Sequence, residues 1–190
     1  MQNITAGFAL TGSFCTFTRA VKQIENLVSK NINVLPIMSF NAATLDTRFG
    51  KAENFIYEIE KITGNRIIRT IPDAEPIGPK NLIDILIILP CTGNTLAKLA
   101  SGIYDTPVTL AAKSHLRNQK PVLLGVSSND SLSSSAKNIG TLLNCKHYYF
   151  VPMSQDAPDK KPFSVVCDFD RVYDAMLEAL NEKQMEPIIF

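Results

Sequence analysis

Both common glycine-rich phosphate fingerprints are missing. The chain has no GxGxxG and no GxxxxGK followed by serine or threonine, which argues against a dinucleotide or a nucleoside triphosphate bound by this chain itself. No apolar run reaches the ~20 residues of a membrane-spanning helix, and no basic region followed by an apolar one opens the sequence. A cytoplasmic protein is therefore expected. Charge of either sign is also scarce in net terms, at +1. Neither nucleic acid nor a membrane surface is expected as a partner. The four cysteines lack CxxC spacing, and the two histidines lie far from them. Free thiols are expected, with no metal site and no disulfide framework.

What is present is a repeated alternation of buried strand and helix over 190 residues, read as one domain, 1–190. Its centre is the run Ile85–Leu89, too short to cross a membrane and apolar throughout, as a parallel strand covered on both faces should be. Pro90 is expected to stop the ladder, because it has no N–H to donate. A polar turn, Thr92-Gly93-Asn94-Thr95, follows, and Leu96, Leu99, Ala100 and Ile103 then recur at helical spacing.

Further strands are expected at Ile4–Leu10, 33–39, 66–71, 121–126 and 148–151. Helices are expected around Val21–Val28, Phe55–Ile62, Thr106–Asn118, Leu132–Leu143 and Arg171–Lys183, the second closed by Gly64. Ser13 or Thr16 is a candidate cap for the first of them. Segments 40–50, 72–79 and 152–162 read as irregular, and the apolar tail from Pro187 to Phe190 is expected to dock on this domain or on a neighbouring subunit. The fold expected is a doubly wound, three-layer α/β domain, Rossmann-like, with a six-stranded parallel sheet.

Four strand ends carry small polar turns: Thr11-Gly12-Ser13, Ser39-Phe40-Asn41, Thr92 to Thr95, and Ser127-Ser128-Asn129-Asp130. Helix capping explains each one singly. On one sheet edge they converge on a crevice of neutral donors and backbone amides, where open α/β sheets bind ligands. Such a lining suits a mononucleotide, and flavin mononucleotide (FMN) fits it best. Arg48 and Lys80 lie in loops; arginine suits bidentate carboxylate recognition, and a solvated loop charge is the alternative for both, as for Lys160 and Lys161. Cys15 and Cys91 read as small buried cysteines, and His115 as a surface or interface residue. No side chain presents itself as a general base, so the catalytic residue is unknown.

The stretch from Pro90 to Asp105 resembles the PxxANTxxKxAxGxxD signature of the FMN-binding flavoproteins, a family of cysteine decarboxylases and flavin prenyltransferases. Gly93 stands where that family usually has alanine, a change that reads as tolerable in a turn. The decarboxylases' histidine after the second strand is replaced by Phe40-Asn41-Ala42, and their Pro-x-Met-Asn motif by Val126-Ser127-Ser128-Asn129. The resemblance implies cofactor contacts from Thr11, Gly12, Ser13, Ser39, Thr92, Gly93, Asn94 and Thr95, and substrate contacts from Asn41, Arg48 and Asn129.

Segments Asp46–Gly50, Ala74–Lys80, Ser128–Asp130 and Gln155–Pro162 resemble one branch of the family, the B subunits of dipicolinate synthases. That likeness implies an oxidoreductase subunit active in sporulation. It would work with an A subunit carrying NADP to oxidise a dihydrodipicolinate-type dicarboxylate, and homo-oligomers, trimers or multiples of them, are implied too. A stand-alone FMN-dependent decarboxylase or prenyltransferase, and a non-catalytic partner of the A subunit, are the alternatives.

Overall fold

The computed structural model describes residues 4–190. In chain order it runs β1 (Thr5–Leu10), a 3-10 turn at Phe14–Thr16, α1 (Phe17–Ser29), β2 (Asn33–Met38), α2 (Phe40–Thr44), α3 (Ala52–Thr63), α4 (Ile71–Ala74) and a 3-10 turn at Glu75–Ile77. There follow β3 (Ile85–Cys91), α5 (Gly93–Ala100), α6 (Pro107–Leu116), β4 (Val122–Ser128), α7 (Ala136–Leu143), β5 (Tyr148–Phe150), β6 (Met153–Gln155), β7 (Val165–Cys167) and α8 (Val172–Leu180).

Five strands form a parallel sheet in the order β2-β1-β3-β4-β5. Every residue of β3 is buried, so each of its isoleucine and leucine side chains contributes about 2 kcal/mol by leaving water. Helix α1 packs beside α8, and α5 packs beside α6 and α7. This is the three-layer arrangement expected, and the buried apolar residues form one cluster.

The strand count needs correction. The segment 66–71 is not a strand but makes a single parallel bridge, Ile68 to Ile37. Its ladder stops there because the Asn65 side-chain amide takes the Val34 carbonyl of β2 at 2.8 Å on one side, and Thr70 caps α4 on the other. In compensation, β6 and β7 form an antiparallel pair, and β7 joins the far end of β4 through Ser127–Val166 and Ser128–Val165. The sheet therefore has seven strands, five of them parallel.

Nor does Pro90 end β3. The ladder shifts register after Ile88 and resumes at Cys91, opposite Val126. Segment 72–79 is packed rather than irregular. Ala74 and Ile77 are buried, and a Cβ added at Gly78 would stand 2.2 Å from the Ser114 carbonyl oxygen in α6, an approach only glycine permits.

The helix after β4 starts at Ala136, leaving Leu132 exposed. Neither Ser13 nor Thr16 caps α1 with its side chain, whereas Gly64 closes α3 in the left-handed conformation as expected. The tail docks on β6. The Met153 N–H donates to the Ile188 carbonyl at 2.9 Å, yet Ile189 and Phe190 stay exposed.

Candidate functional site

In this strand order the chain reverses its winding direction between β1 and β3, the position where open α/β sheets form a crevice at their carboxyl edge. The crevice is there. It is a cavity of about 920 Å³ lined from β1, β3 and β4 by Gly12, Ser13, Thr92, Gly93, Asn94 and Ser127–Asp130. Three of the four polar turns thus meet as expected, and hydrogen bonds stitch them together.

Thr11 donates its hydroxyl to the Pro90 carbonyl at 2.7 Å, and the Thr92 N–H donates to Thr11 Oγ1 at 3.1 Å. Ser13 and Ser127 share a hydroxyl–hydroxyl bond of 3.0 Å. Thr92 caps α5 by accepting the Thr95 N–H, and its hydroxyl also pairs with that of Thr95 at 3.1 Å. Thr11 and Thr95 are accordingly buried behind the wall and do not line it. Asn94 and Asn129 line the cleft and are exposed, and their side-chain amides engage no other described residue. They remain free to bond a ligand.

The fourth turn goes elsewhere, which corrects the expectation that all four meet. The Ser39 hydroxyl caps α2 by accepting the Ala42 N–H at 3.3 Å, and Asn41 lies exposed in that helix. Neither lines the cleft. Phe40, the neighbour of both, lines a second hollow of about 570 Å³ with Arg66 and Arg69. The chain returns to the cleft only after α2, with Arg48 and Phe49.

Arg48 lines the cleft as expected, whereas Arg19 and Asp130, which also line it, carry little or no signal in the sequence. Arg19 projects from α1 with its guanidinium 4.1 Å above the ring centre of buried Phe169, and Arg48 stacks at 4.8 Å on Phe49. Neither arginine has an acidic partner among the described residues, in contrast to Lys161, which pairs with Asp156 at 2.7 Å on the same rim. Asp130 looks in sequence like one more polar turn residue. Burial acts to raise its pKa, but hydroxyls of Ser128, Ser134 and Ser135 donate to the carboxylate and hold it below the usual carboxylate range. Arg19 gives no signal because a basic residue on an amphipathic helix normally marks a solvated face. Lys80 and Lys160 do not line the cleft.

The cysteines divide. Cys15 is exposed in the cleft, contrary to expectation, because it sits in the 3-10 turn and not on α1's inner face. Cys91 is buried as expected, and burial pushes its thiol well above the ordinary range; Cys167 is pushed up to about 12 for the same reason. Both stay protonated and unreactive. His115 is a correction, being fully buried. Its Nε2 meets the Pro121 carbonyl at 3.1 Å, and its Nδ1 has no partner among the described residues.

A cleft built in this way can hold a flat polar ring against amides and hydroxyls, and an anionic group against two unpaired guanidiniums. Among the described residues no group of three or more His, Cys, Asp or Glu side chains could hold a metal ion. No helix among them is long and apolar enough to cross a membrane.

Comparison with known proteins agrees with this architecture. The chain is 42% identical over 183 residues to the B subunit of the dipicolinate synthase of Bacillus subtilis (strain 168), covering 96% of this chain and 92% of that one. The crystal structure of the B subunit of the dipicolinate synthase from Bacillus halodurans C superimposes with a TM-score of 0.90 at 38% identity, over 98% of this chain and 96% of that one. The FMN-dependent cysteine decarboxylase SpaF shares the fold with a TM-score of 0.71 at 21% identity, over 93% and 97% of the two chains. Residues 1–179 match the Flavoprotein family. By that match and by its 42% identical relative, the chain belongs to the Flavoprotein family.

Proposed function

We propose that this protein is the B subunit of a dipicolinate synthase, acting with an A subunit that carries NADP to oxidise a dihydrodipicolinate-type dicarboxylate during sporulation. The carrying observation is the cleft at the β1/β3 reversal, where three stitched turns present free amides and two unpaired guanidiniums. The 42% identity to the Bacillus subtilis relative, over nearly its whole length, supports the same assignment.

The residues present fit FMN. A cavity of about 920 Å³ lies within the range that accommodates a cofactor. Its neutral donors match a polar ring, and unpaired Arg19 matches a phosphate. SpaF, which shares the fold, is described as FMN-dependent. Gly12 and Ser13, with Arg19, would receive the phosphate, and Thr92, Gly93, Asn94 and Asn129 would border the ring. Thr11 and Thr95 support that wall from behind, and Ser39 supports it from further off by fixing the Leu10 end of β1 through its N–H. When bound, a flavin supplies hydride or electron transfer.

Arg48 is assigned to a carboxylate of the substrate, with Asn129 beside it; Asn41 does not line the cleft and has no such part. Neither histidine lines the cleft, so an acid–base mechanism resting on an imidazole is not available to this chain. That favours a redox role over stand-alone decarboxylation. The protein acts as one cytoplasmic domain and forms a closed homo-oligomer, the common outcome for soluble proteins, and exposed Phe40, Leu45 and Tyr57 are candidate contacts.

The experiment is reconstitution. The purified chain and the A subunit, supplied with NADP and a freshly generated dihydrodipicolinate precursor, should form dipicolinate by its ultraviolet absorbance. The A subunit alone should be at least about tenfold slower, a barrier difference of roughly 1.4 kcal/mol. Equal rates with and without this chain would remove the catalytic assignment.

A further inference from the structure

We propose that Asp130 sets the reduction potential of a flavin held in the cleft, keeping it low by fixing a negative charge beside the ring. This role presupposes the flavin of the preceding section and concerns a residue that has no part in it there.

The carboxylate is placed with unusual rigidity for a cleft residue. Its Oδ1 accepts from Ser128 Oγ at 2.6 Å, and its Oδ2 accepts from Ser134 and Ser135, each at 2.8 Å. Ser128 Oγ in turn accepts the Gly93 N–H at 3.0 Å, at the first residue of α5. The negative charge is thereby tied through one hydroxyl to the positive end of that helix. With these donors it stays ionised at neutral pH.

Gly93 makes the placement possible. A Cβ there would lie 2.4 Å from Asp130 Oδ1 and 2.6 Å from Ser135 Oγ, too close for the carboxylate to remain where it is. Glycine at 93 and aspartate at 130 are therefore one device. The substitution by glycine in the turn, which reads as neutral in sequence, opens the space that the carboxylate fills.

Charge decides which part of a mononucleotide meets Asp130. A phosphate carries about −1.5 to −2 at neutral pH, so the carboxylate repels it, while unpaired Arg19 attracts it. The uncharged ring is left for the wall that Asp130 completes. Reduction adds electron density to that ring, and a fixed negative charge nearby opposes it. Binding to this protein then favours oxidised over reduced FMN by linkage.

The test is the reduction potential of FMN bound to the full-length protein, measured against a reference dye during dithionite titration, with the dissociation constant of oxidised FMN measured in parallel. Asp130→Asn should raise the ratio of reduced to oxidised affinity at least tenfold, about 30 mV upward for a two-electron couple. The double variant Gly93→Ala/Asp130→Ser removes the charge while a methyl group fills the space it leaves, and it should show the same rise even if the single variant folds poorly. An unchanged or lowered potential in either flavin-loaded variant would overturn the role of Asp130 and leave the flavin assignment standing. Folded variants that both lost FMN altogether would make Asp130 a holding group, which also overturns it. A wild-type protein that failed to bind FMN would sink the flavin assignment and this role together.

Discussion

The two edges of the same three strands are built from different chemistry. At the amino edge, Asp84 before β3 accepts the Thr5 N–H of β1 at 2.9 Å and Lys120 Nζ, from before β4, at 3.1 Å. Lys120 also donates to the Ile83 carbonyl at 2.9 Å, and His115 closes on Pro121 nearby. At the carboxyl edge the same strands are tied by hydroxyls of Thr11, Ser13 and Ser127, the first also accepting the Thr92 N–H, and the side-chain amides of Asn94 and Asn129 stay free. One edge is closed by ionic and buried groups that answer to each other. The other is tied from strand to strand by hydroxyls, with one carboxylate, Asp130, held among serines beside them, and leaves a cavity. The difference separates what stabilises the fold from what receives a ligand, and each edge can be perturbed alone.

The largest expected effect belongs to the amino edge. Burial lowers the pKa of His115 from 6.5 to about 4, with Lys120 adding to the shift and the Pro121 carbonyl opposing it. The folded chain resists a proton that the unfolded chain accepts, so stability is intact above pH 6.5 and lost as pH falls from there toward 4. The loss is on the order of 3 kcal/mol. Urea unfolding at about pH 7 and about pH 4.5, on either side of the ordinary histidine range, should show it. His115→Gln should flatten much of the difference while leaving ligand affinity at neutral pH unchanged.

Next is the carboxyl edge. Removing both free guanidiniums, Arg19→Ala with Arg48→Ala, should weaken binding of an anionic ligand roughly 10- to 100-fold, about 1.4–2.7 kcal/mol. The unfolding midpoint should fall only a little, by the ~1 kcal/mol or less of the stacking on Phe169 and Phe49, since neither side chain makes an ion pair. Equilibrium titration and thermal unfolding of one preparation measure both.

A smaller effect is expected from Asp84→Ala, which frees Lys120 and the Thr5 N–H. The pair is partly exposed and screened by solvent, so the loss is about 1 kcal/mol, read as a lower unfolding midpoint with no change in ligand affinity. If this variant weakened ligand binding as much as the double arginine variant, the separation between the edges would not hold.

Most of this architecture is legible in the sequence because apolar runs such as Ile85–Leu89 and the helical spacing of α1, α3 and α8 are strong signals. The errors fall on short pieces. Val165–Cys167 is three residues long and forms a strand only because β4 extends past β5 to meet it, a tertiary circumstance with no period of its own. The segment 66–71 has strand composition but loses its ladder to the Asn65 side chain, which takes the Val34 carbonyl, and to the cap of α4 at Thr70.

The cleft is legible at three turns, since small polar residues directly after buried strands lie on one edge of a parallel sheet. Ser39 has the same composition, yet its hydroxyl is taken by the cap of α2. Arg19 is hidden because its charge sits on a helix face, and Asp130 because the space it fills is left open by Gly93, from a distant part of the chain. The burial of His115 is hidden because two histidines offer no pattern to read.

The central claim is that the hydroxyl-stitched edge, and not the ionic one, receives a flavin. FMN titration followed by quenching of flavin fluorescence tests it, using the wild type, Asp84→Ala and Asn94→Trp, the last chosen to fill the cleft from an exposed position. The wild type and Asp84→Ala should bind with the same midpoint, and Asn94→Trp should not bind while keeping its unfolding midpoint. No binding by the wild type, or equal binding by Asn94→Trp, would contradict the account.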